Sequence, residues 1–221
     1  MARHMPDGAE GRDEAIRALR AGGVVAIPTD TVYGIAVALE TPGGIERLFA
    51  AKSRPPDKAI ALLLADPDQA SDIGTMSAAA VALATALWPG GLTLVVPRRT
   101  DLDLPAALSG GALAPGAIPT VGLRVPDHAA PRALARALGP LPTTSANVSG
   151  EPELQTAGEI EARIGGAVDL ILDGGPASGG PASTVVDCTG DRPVVVRAGA
   201  ISSETIDAVL ARAQAAGSGS S

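Results

Sequence analysis

Lysine is almost missing from this 221-residue chain. Lys52 and Lys58 are the only two, and every other basic side chain is arginine. A single cysteine, Cys188, excludes an intrachain disulfide and a cysteine-built zinc site. The two histidines, His4 and His128, are too far apart for metal-ligand spacing. Aromatic residues make up 1% of the chain, with Tyr33, Phe49 and Trp88 as the whole supply. Stacking of single-stranded nucleic acid on exposed rings is thereby nearly excluded, and the core must be built from Ala, Val, Leu and Ile. A net charge of −7 repels nucleic acid overall, so an RNA contact would need a local basic patch. No apolar run is long enough for a signal peptide or a membrane span, which gives the expectation of a soluble, cytoplasmic protein without a membrane partner.

Catalytic motifs are scarce as well. There is no G-x-x-x-x-G-K-[ST] phosphate loop, no G-x-G-x-x-G after a strand and no G-x-S-x-G elbow. No serine or cysteine has an evident histidine partner. An enzyme built this way works by positioning and electrostatics.

What is present begins with the placement of the two lysines. Both lie in Lys52-Ser-Arg-Pro-Pro-Asp-Lys58, which gathers three cations around two prolines. Proline fixes its own φ and restricts the residue before it, so the segment reads as a stiff cationic loop, suited to a polyphosphate or carboxylate. Hydrophobic content of 46% is ample for a core. Short apolar runs at 24–27, 35–39, 60–64, 92–96, 121–125, 168–172, 184–187 and 194–197 read as strands. Helical spacing covers 10–21, a stretch opened by Thr41-Pro42, then 77–87, 131–138, 157–164 and 203–214. Gly190-Asp191 makes a hairpin of the last two strands. Residues 97–119 read as a long loop. Strands and helices mix without strict alternation, which predicts one α/β domain with a mixed sheet. Residues 1–9 are expected to be a flexible segment, 10–214 the catalytic domain and 215–221 a flexible tail.

Polar clusters punctuate the ends of the apolar runs: Thr29/Asp30/Thr31/Tyr33, Lys52/Arg54/Lys58, Thr120 with Arg124, Thr143/Thr144/Ser145/Asn147/Ser149, Ser183/Thr184, and Arg197. Ligands in open α/β sheets collect at strand ends, so these could line one cleft for a small polar substrate and a phosphate-bearing one. Any one Ser/Thr cluster alone reads more readily as a turn or a cap. Arg124 is different. It falls inside Val121-Gly-Leu-Arg-Val125, and a charge in an apolar strand must be paired or face a cleft.

Together the clusters resemble the YrdC-like family of threonylcarbamoyl-AMP synthases. The matching segments are Pro28-Thr-Asp-Thr-Val-Tyr-Gly34, Lys52-Ser-Arg54 with Lys58, Trp88-Pro-Gly90 followed by Leu92-Thr-Leu94, Gly122-Leu-Arg-Val-Pro126, Thr144-Ser-Ala-Asn147 with Ser149-Gly150, Ser183-Thr-Val-Val-Asp187, and Arg197 before Gly199. They span roughly residues 10 to 212 in the family's order, in the short form without the extra C-terminal domain. The resemblance implies a twisted mixed parallel/antiparallel sheet flanked by helices around a basic concave cleft.

It also implies a nucleotidyltransferase that converts L-threonine, bicarbonate or CO₂ and ATP into threonylcarbamoyl-AMP and pyrophosphate. The product would serve tRNA adenosine-37 modification through a tRNA threonylcarbamoyl-transferase complex, with direct tRNA binding left open. Lys52 and Arg54 would be catalytic. Thr31, Arg124, Thr143 and Ser183 would bind threonine. Arg54, Lys58, Thr120, Ser145, Asn147 and Arg197 would bind ATP. Mg²⁺ would accompany ATP, with no protein-held metal site. Competing readings are a non-catalytic RNA-binding module of the same fold and an acyladenylate enzyme for another carbamoyl substrate. One departure from the family pattern is Glu153, which stands where a small hydroxyl is usual.

Overall fold

The computed structural model describes residues 1–52, 60–109, 117–178 and 180–218. In chain order the elements are β1 (Arg3–Pro6), α1 (Ala9–Arg20), β2 (Val25–Ile27), β3 (Gly34–Ala36), α2 (Gly44–Lys52), β4 (Ala61–Leu63), α3 (Ala70–Ile73), α4 (Ala78–Leu87), β5 (Leu92–Pro97), β6 (Thr120–Arg124), α5 (Ala129–Leu138), β7 (Leu141–Ser145), α6 (Ala157–Ile164), β8 (Leu170–Asp173), β9 (Thr184–Asp187), β10 (Val194–Arg197) and α7 (Ser203–Ser218).

The strands form a single sheet in the order β1-β8-β2-β3-β7-β4-β6-β5-β9-β10. It is mixed, as the sequence predicts. β1/β8, β8/β2, β4/β6 and β5/β9 are parallel, and the other neighbours antiparallel. The β9–β10 hairpin is where Gly190-Asp191 places it.

Successive strand residues point to opposite faces, and here they feed two separate cores. On β2, Val25 and Ile27 join α1 (Ala15, Leu19) and α5 (Leu134, Ala135) on one face. Val24 and Ala26 join Leu48 and Phe49 of α2, Leu83 of α4 and Ile160 of α6 on the other. Both cores are almost wholly aliphatic, as three aromatic residues require.

Three readings need correction. Residues 1–9 are not a loose lead-in: Arg3–Pro6 pairs in parallel with β8, Arg3 opposite Leu170 and Pro6 opposite Asp173. Arg-His-Met-Pro gives such a strand no alternating pattern; its order comes from the hydrogen-bonding edge of β8. Gly11 lets α1 close over it, because a Cβ there would meet the Pro6 carbonyl at 2.0 Å. The C-terminal helix continues to Ser218, past the expected boundary at 214. The helix expected from Thr41-Pro42 starts two residues later, at Gly44. Gly43 has a positive φ of 73°, and the Gly44 N–H bonds the Thr41 carbonyl, so Thr41-Pro42-Gly43 is a turn.

Besides β1, a second strand escaped the sequence reading. Leu141-Pro-Thr-Thr-Ser145 looks polar, yet it is β7, in the middle of the sheet between β3 and β4. Its threonines are β-branched and suit a strand. Its polarity exists because one face of it lines a cavity.

Candidate active site

Helices α1 and α5 cover part of one sheet face, α1 over β1, β8 and β2, and α5 over the Leu63 and Leu141 ends of β4 and β7. Further along, the same face is open and forms the floor of a cavity of about 200 Å³. The floor has a period of two: Thr143 and Ser145 on β7, Ala61 and Leu63 on β4, Thr120, Gly122 and Arg124 on β6, Thr93 and Val95 on β5. Cross-strand register aligns these residues. Gly34 sits opposite Ser145, Ala61 opposite both Thr143 and Gly122, and Leu63 opposite Arg124. Thr29, Thr31, Ser183 and Arg197 wall the cavity from the flanking loops and β10. The polar clusters thus line the face of the sheet as well as its strand ends. Alternation along a strand delivers every second residue to one face, which a reading of strand ends alone does not foresee.

All four residues expected around threonine, Thr31, Arg124, Thr143 and Ser183, line this one cavity, with Thr120, Ser145 and Arg197 of the nucleotide set. Arg54 and Lys58 lie outside the described residues. The basic character expected of the cleft therefore rests, among the described lining residues, on Arg124 and Arg197.

Arg124 is buried, 6% exposed, and held on three sides. Its Nε donates to the Gly90 carbonyl at 3.0 Å, Nη1 to Thr31 Oγ1 at 3.1 Å and Nη2 to Asp30 Oδ1 at 2.7 Å. Burial pulls its pKa below the ordinary arginine value, and the nearby Arg197 acts the same way, while Asp30 opposes both. The Asp30 loop is itself locked. Thr29 Oγ1 donates to the Val32 carbonyl at 2.6 Å and accepts from the Thr31 N–H at 3.1 Å.

Arg197 folds back on the loop before β9. Its Nε and Nη2 donate to the Ser183 carbonyl at 3.1 and 2.8 Å, and Nη2 reaches Ser183 Oγ at 3.0 Å. Burial lowers its pKa, and the charge of Glu153 works against that shift. Ser183 Oγ also pairs with Thr93 Oγ1 at 2.8 Å. Asp30 and Thr93 are site residues that the assignment by sequence missed, although both lie in segments it quoted. Their signal was proximity to Thr31 and alternation within Leu92-Thr-Leu94.

Lys52 departs most from expectation. The sequence places it in a cationic loop facing the ligand, but it ends a helix and is buried: it is the last residue of α2 and 1% exposed. Its Nζ donates to the Ser145 carbonyl at 2.5 Å, Ser145 Oγ at 3.0 Å and Asn147 Oδ1 at 2.7 Å. Asn147 is turned into place by its Nδ2 donating to the Glu151 carbonyl at 2.6 Å. Lys52 and Asn147 therefore sit behind Ser145, which lines the cavity, and not in its wall.

Cys188 supplies no nucleophile: burial pushes its thiol up to about 11. Among the described residues, no three or more His, Cys, Asp or Glu side chains are arranged to hold a metal ion. No described helix is long and apolar enough to cross a membrane.

The family model described as "Telomere recombination", covering Sua5, YciO and YrdC, matches residues 17–199. The chain belongs to the Sua5/YciO/YrdC family. A threonylcarbamoyl-AMP synthase of Bacillus subtilis is 37% identical over 199 residues, 89% of this chain and 56% of that protein. A Mycobacterium tuberculosis protein is 36% identical over 197 residues, covering 89% of this chain and 87% of its own length. The crystal structure of P. abyssi Sua5 complexed with L-threonine superposes with a TM-score of 0.84 at 31% identity, over 95% of this chain and 60% of that one. The chain thus spans little more than half the length of the Bacillus and Pyrococcus relatives and most of the mycobacterial one. The single α/β domain with its mixed sheet matches the fold of the Sua5 and YciO structures.

Proposed function

We propose that this member of the Sua5/YciO/YrdC family is an L-threonylcarbamoyladenylate synthase, using L-threonine, bicarbonate or CO₂, and ATP. The observation that carries the reading is the single cavity that gathers Thr31, Arg124, Thr143 and Ser183. Support comes from the names of its relatives and from the threonine bound to the P. abyssi protein.

The chemistry suits the inventory. Threonine's amine attacks CO₂ and loses a proton to solvent, or attacks bicarbonate with loss of water, to give a carbamate. A carbamate oxygen attacks the α-phosphorus of ATP, the bond to the β-phosphate oxygen breaks, and pyrophosphate leaves. Both nucleophiles come from substrates, so the protein needs only to align them and to balance charge. A cavity of about 200 Å³ is below the ~300–1,000 Å³ usual for drug-sized ligands. It is sized for an amino acid, and the triphosphate would extend beyond it. Arg124 offers the planar fork that a carboxylate fits. Ser145, backed by Lys52, and Arg197 would contact the nucleotide, with Arg54 and Lys58 as their proposed partners. Magnesium would travel with ATP; the described residues provide no cage for it and no step is routed through it. The proposed hand-off is to a tRNA threonylcarbamoyl-transferase complex.

The test is a pyrophosphate-release assay with each substrate omitted in turn. Release should require threonine and bicarbonate together. Release that persists without threonine removes the reading, and salt-sensitive RNA retention without ATP consumption favours the RNA-binding alternative.

A further inference from the structure

We infer that Asp30 is a positioning residue for amino-acid binding: it holds the Arg124 guanidinium from behind the cavity and, by sharing its charge, weakens the grip on the substrate carboxylate. This rests on the reading of the cavity as a threonine site. Thr29 and Thr31 line the cavity, but Asp30 between them does not. Its carboxylate instead turns to Arg124 Nη2 at 2.7 Å, in an ion pair whose side chains are 7% and 15% exposed. Its place does not depend on a ligand. The Asp30 carbonyl accepts from Ser178 Oγ at 2.8 Å, and Thr29 Oγ1 pairs with Thr31 Oγ1 at 3.1 Å.

Counting donors shows what is left for substrate. A guanidinium has five N–H groups, and Gly90, Thr31 and Asp30 take one each. One N–H remains on each terminal nitrogen, the number a bidentate carboxylate uses. The charge arithmetic runs the other way. With Asp30 in contact, the pair is close to neutral before substrate arrives, so an incoming carboxylate meets the attraction of Arg124 less the repulsion of Asp30. Arg197 adds a more distant positive charge. Asp30 therefore does two separable things: its oxygen places the fork, and its charge limits the affinity.

Asparagine separates them, since it keeps the acceptor and removes the charge. Calorimetry with L-threonine and with ATP on wild type, Asp30→Asn and Asp30→Ala, together with thermal unfolding with and without threonine, forms the test. Asp30→Asn is expected to bind threonine roughly tenfold more tightly, and Asp30→Ala more weakly than wild type. ATP affinity should stay within about twofold in both. Asp30→Asn should melt lower than wild type when empty and gain more in Tm from threonine, because the ligand carboxylate replaces the missing charge. A merely structural role would not produce that larger gain. If Asn weakens threonine binding as Ala does, or leaves it unchanged, the inference fails. An Asp30→Asn protein that stays unfolded even in saturating threonine also overturns it. A wild type that binds no threonine refutes the substrate reading and this inference together; wild-type binding with an unaltered Asn variant refutes this inference alone.

Discussion

Lys52 Nζ lies 2.7 Å from Asn147 Oδ1, joining the end of α2 to the turn after β7, 95 residues away. The backbone repeats the link, since the Ser149 N–H donates to the Lys52 carbonyl at 3.0 Å. That bond satisfies one of the carbonyls a helix end leaves open. Lys52 and the Thr144-Ser-Ala-Asn147 segment are thus tied together, with Ser145 between the ammonium and the cavity.

Lys52→Ala should therefore damage both fold and function. It removes the charged donor from the Ser145 carbonyl and Asn147 Oδ1, which keep only the Asn147 N–H and Ser145 Oγ respectively, and hydrogen bonds to charged groups are worth about 1.5–3 kcal/mol each. A lower Tm accompanied by loss of pyrophosphate release is expected. Unchanged Tm with full turnover would return Lys52 to a peripheral role.

Arg124→Lys keeps the charge and loses the planar fork. It also gives up at least one of the bonds to Gly90, Thr31 and Asp30. The Kd for threonine should rise at least tenfold, a cost of about 1.4 kcal/mol or more, with ATP affected far less. Calorimetry showing ATP binding lost and threonine binding intact would reverse the assignment.

Gly34→Ala probes the floor of the cavity. A Cβ at this position would meet Thr143 Cγ2 at 2.8 Å and the Thr144 carbonyl at 3.4 Å. Crowding between β3 and β7 should cost about 1–3 kcal/mol and push Thr143 into the space for substrate. Denaturant unfolding and threonine titration would both register it; wild-type values in both would mean the strands give way freely.

His128 caps α5 by accepting from the Ala130 N–H through Nδ1 at 3.2 Å. Burial, the largest influence, lowers its pKa from the ordinary value. The unfolded chain takes up this proton near ~6.5, the folded chain only at lower pH. The cap's contribution is thus fully present above the unfolded value and lost as pH falls through the folded one. His128→Asn supplies a cap that does not titrate. Between pH 7 and 5 its stability should fall less than that of wild type; parallel curves would show that His128 does not titrate across folding.

Glu153 is exposed and acts on Arg197 through space. Glu153→Ser should leave stability within about 0.5 kcal/mol. Any tightening of ATP binding should shrink in high salt, because exposed charges are screened. A large loss of ATP affinity would instead make Glu153 a ligand contact.

The sequence by itself determined the aliphatic core, the mixed α/β class and the β9–β10 hairpin. These follow from composition, from apolar period and from a two-residue turn, all of them local. It also singled out Arg124, since a charge inside an apolar strand must be paired or face a cleft. It did not reveal β7, because a strand with one face in a cavity carries the polarity of a loop. It placed Lys52 in a cationic ligand-binding loop with Arg54 and Lys58, because three cations around two prolines have the local signature of a stiff turn. Only the tertiary structure decided that Lys52 is buried against Ser145 and Asn147, that β1 completes the sheet edge, and that Asp30 holds Arg124 across 94 residues. Each of those outcomes depends on which strand edges and unsatisfied polar groups meet once the sheet is assembled. No window of sequence contains both partners.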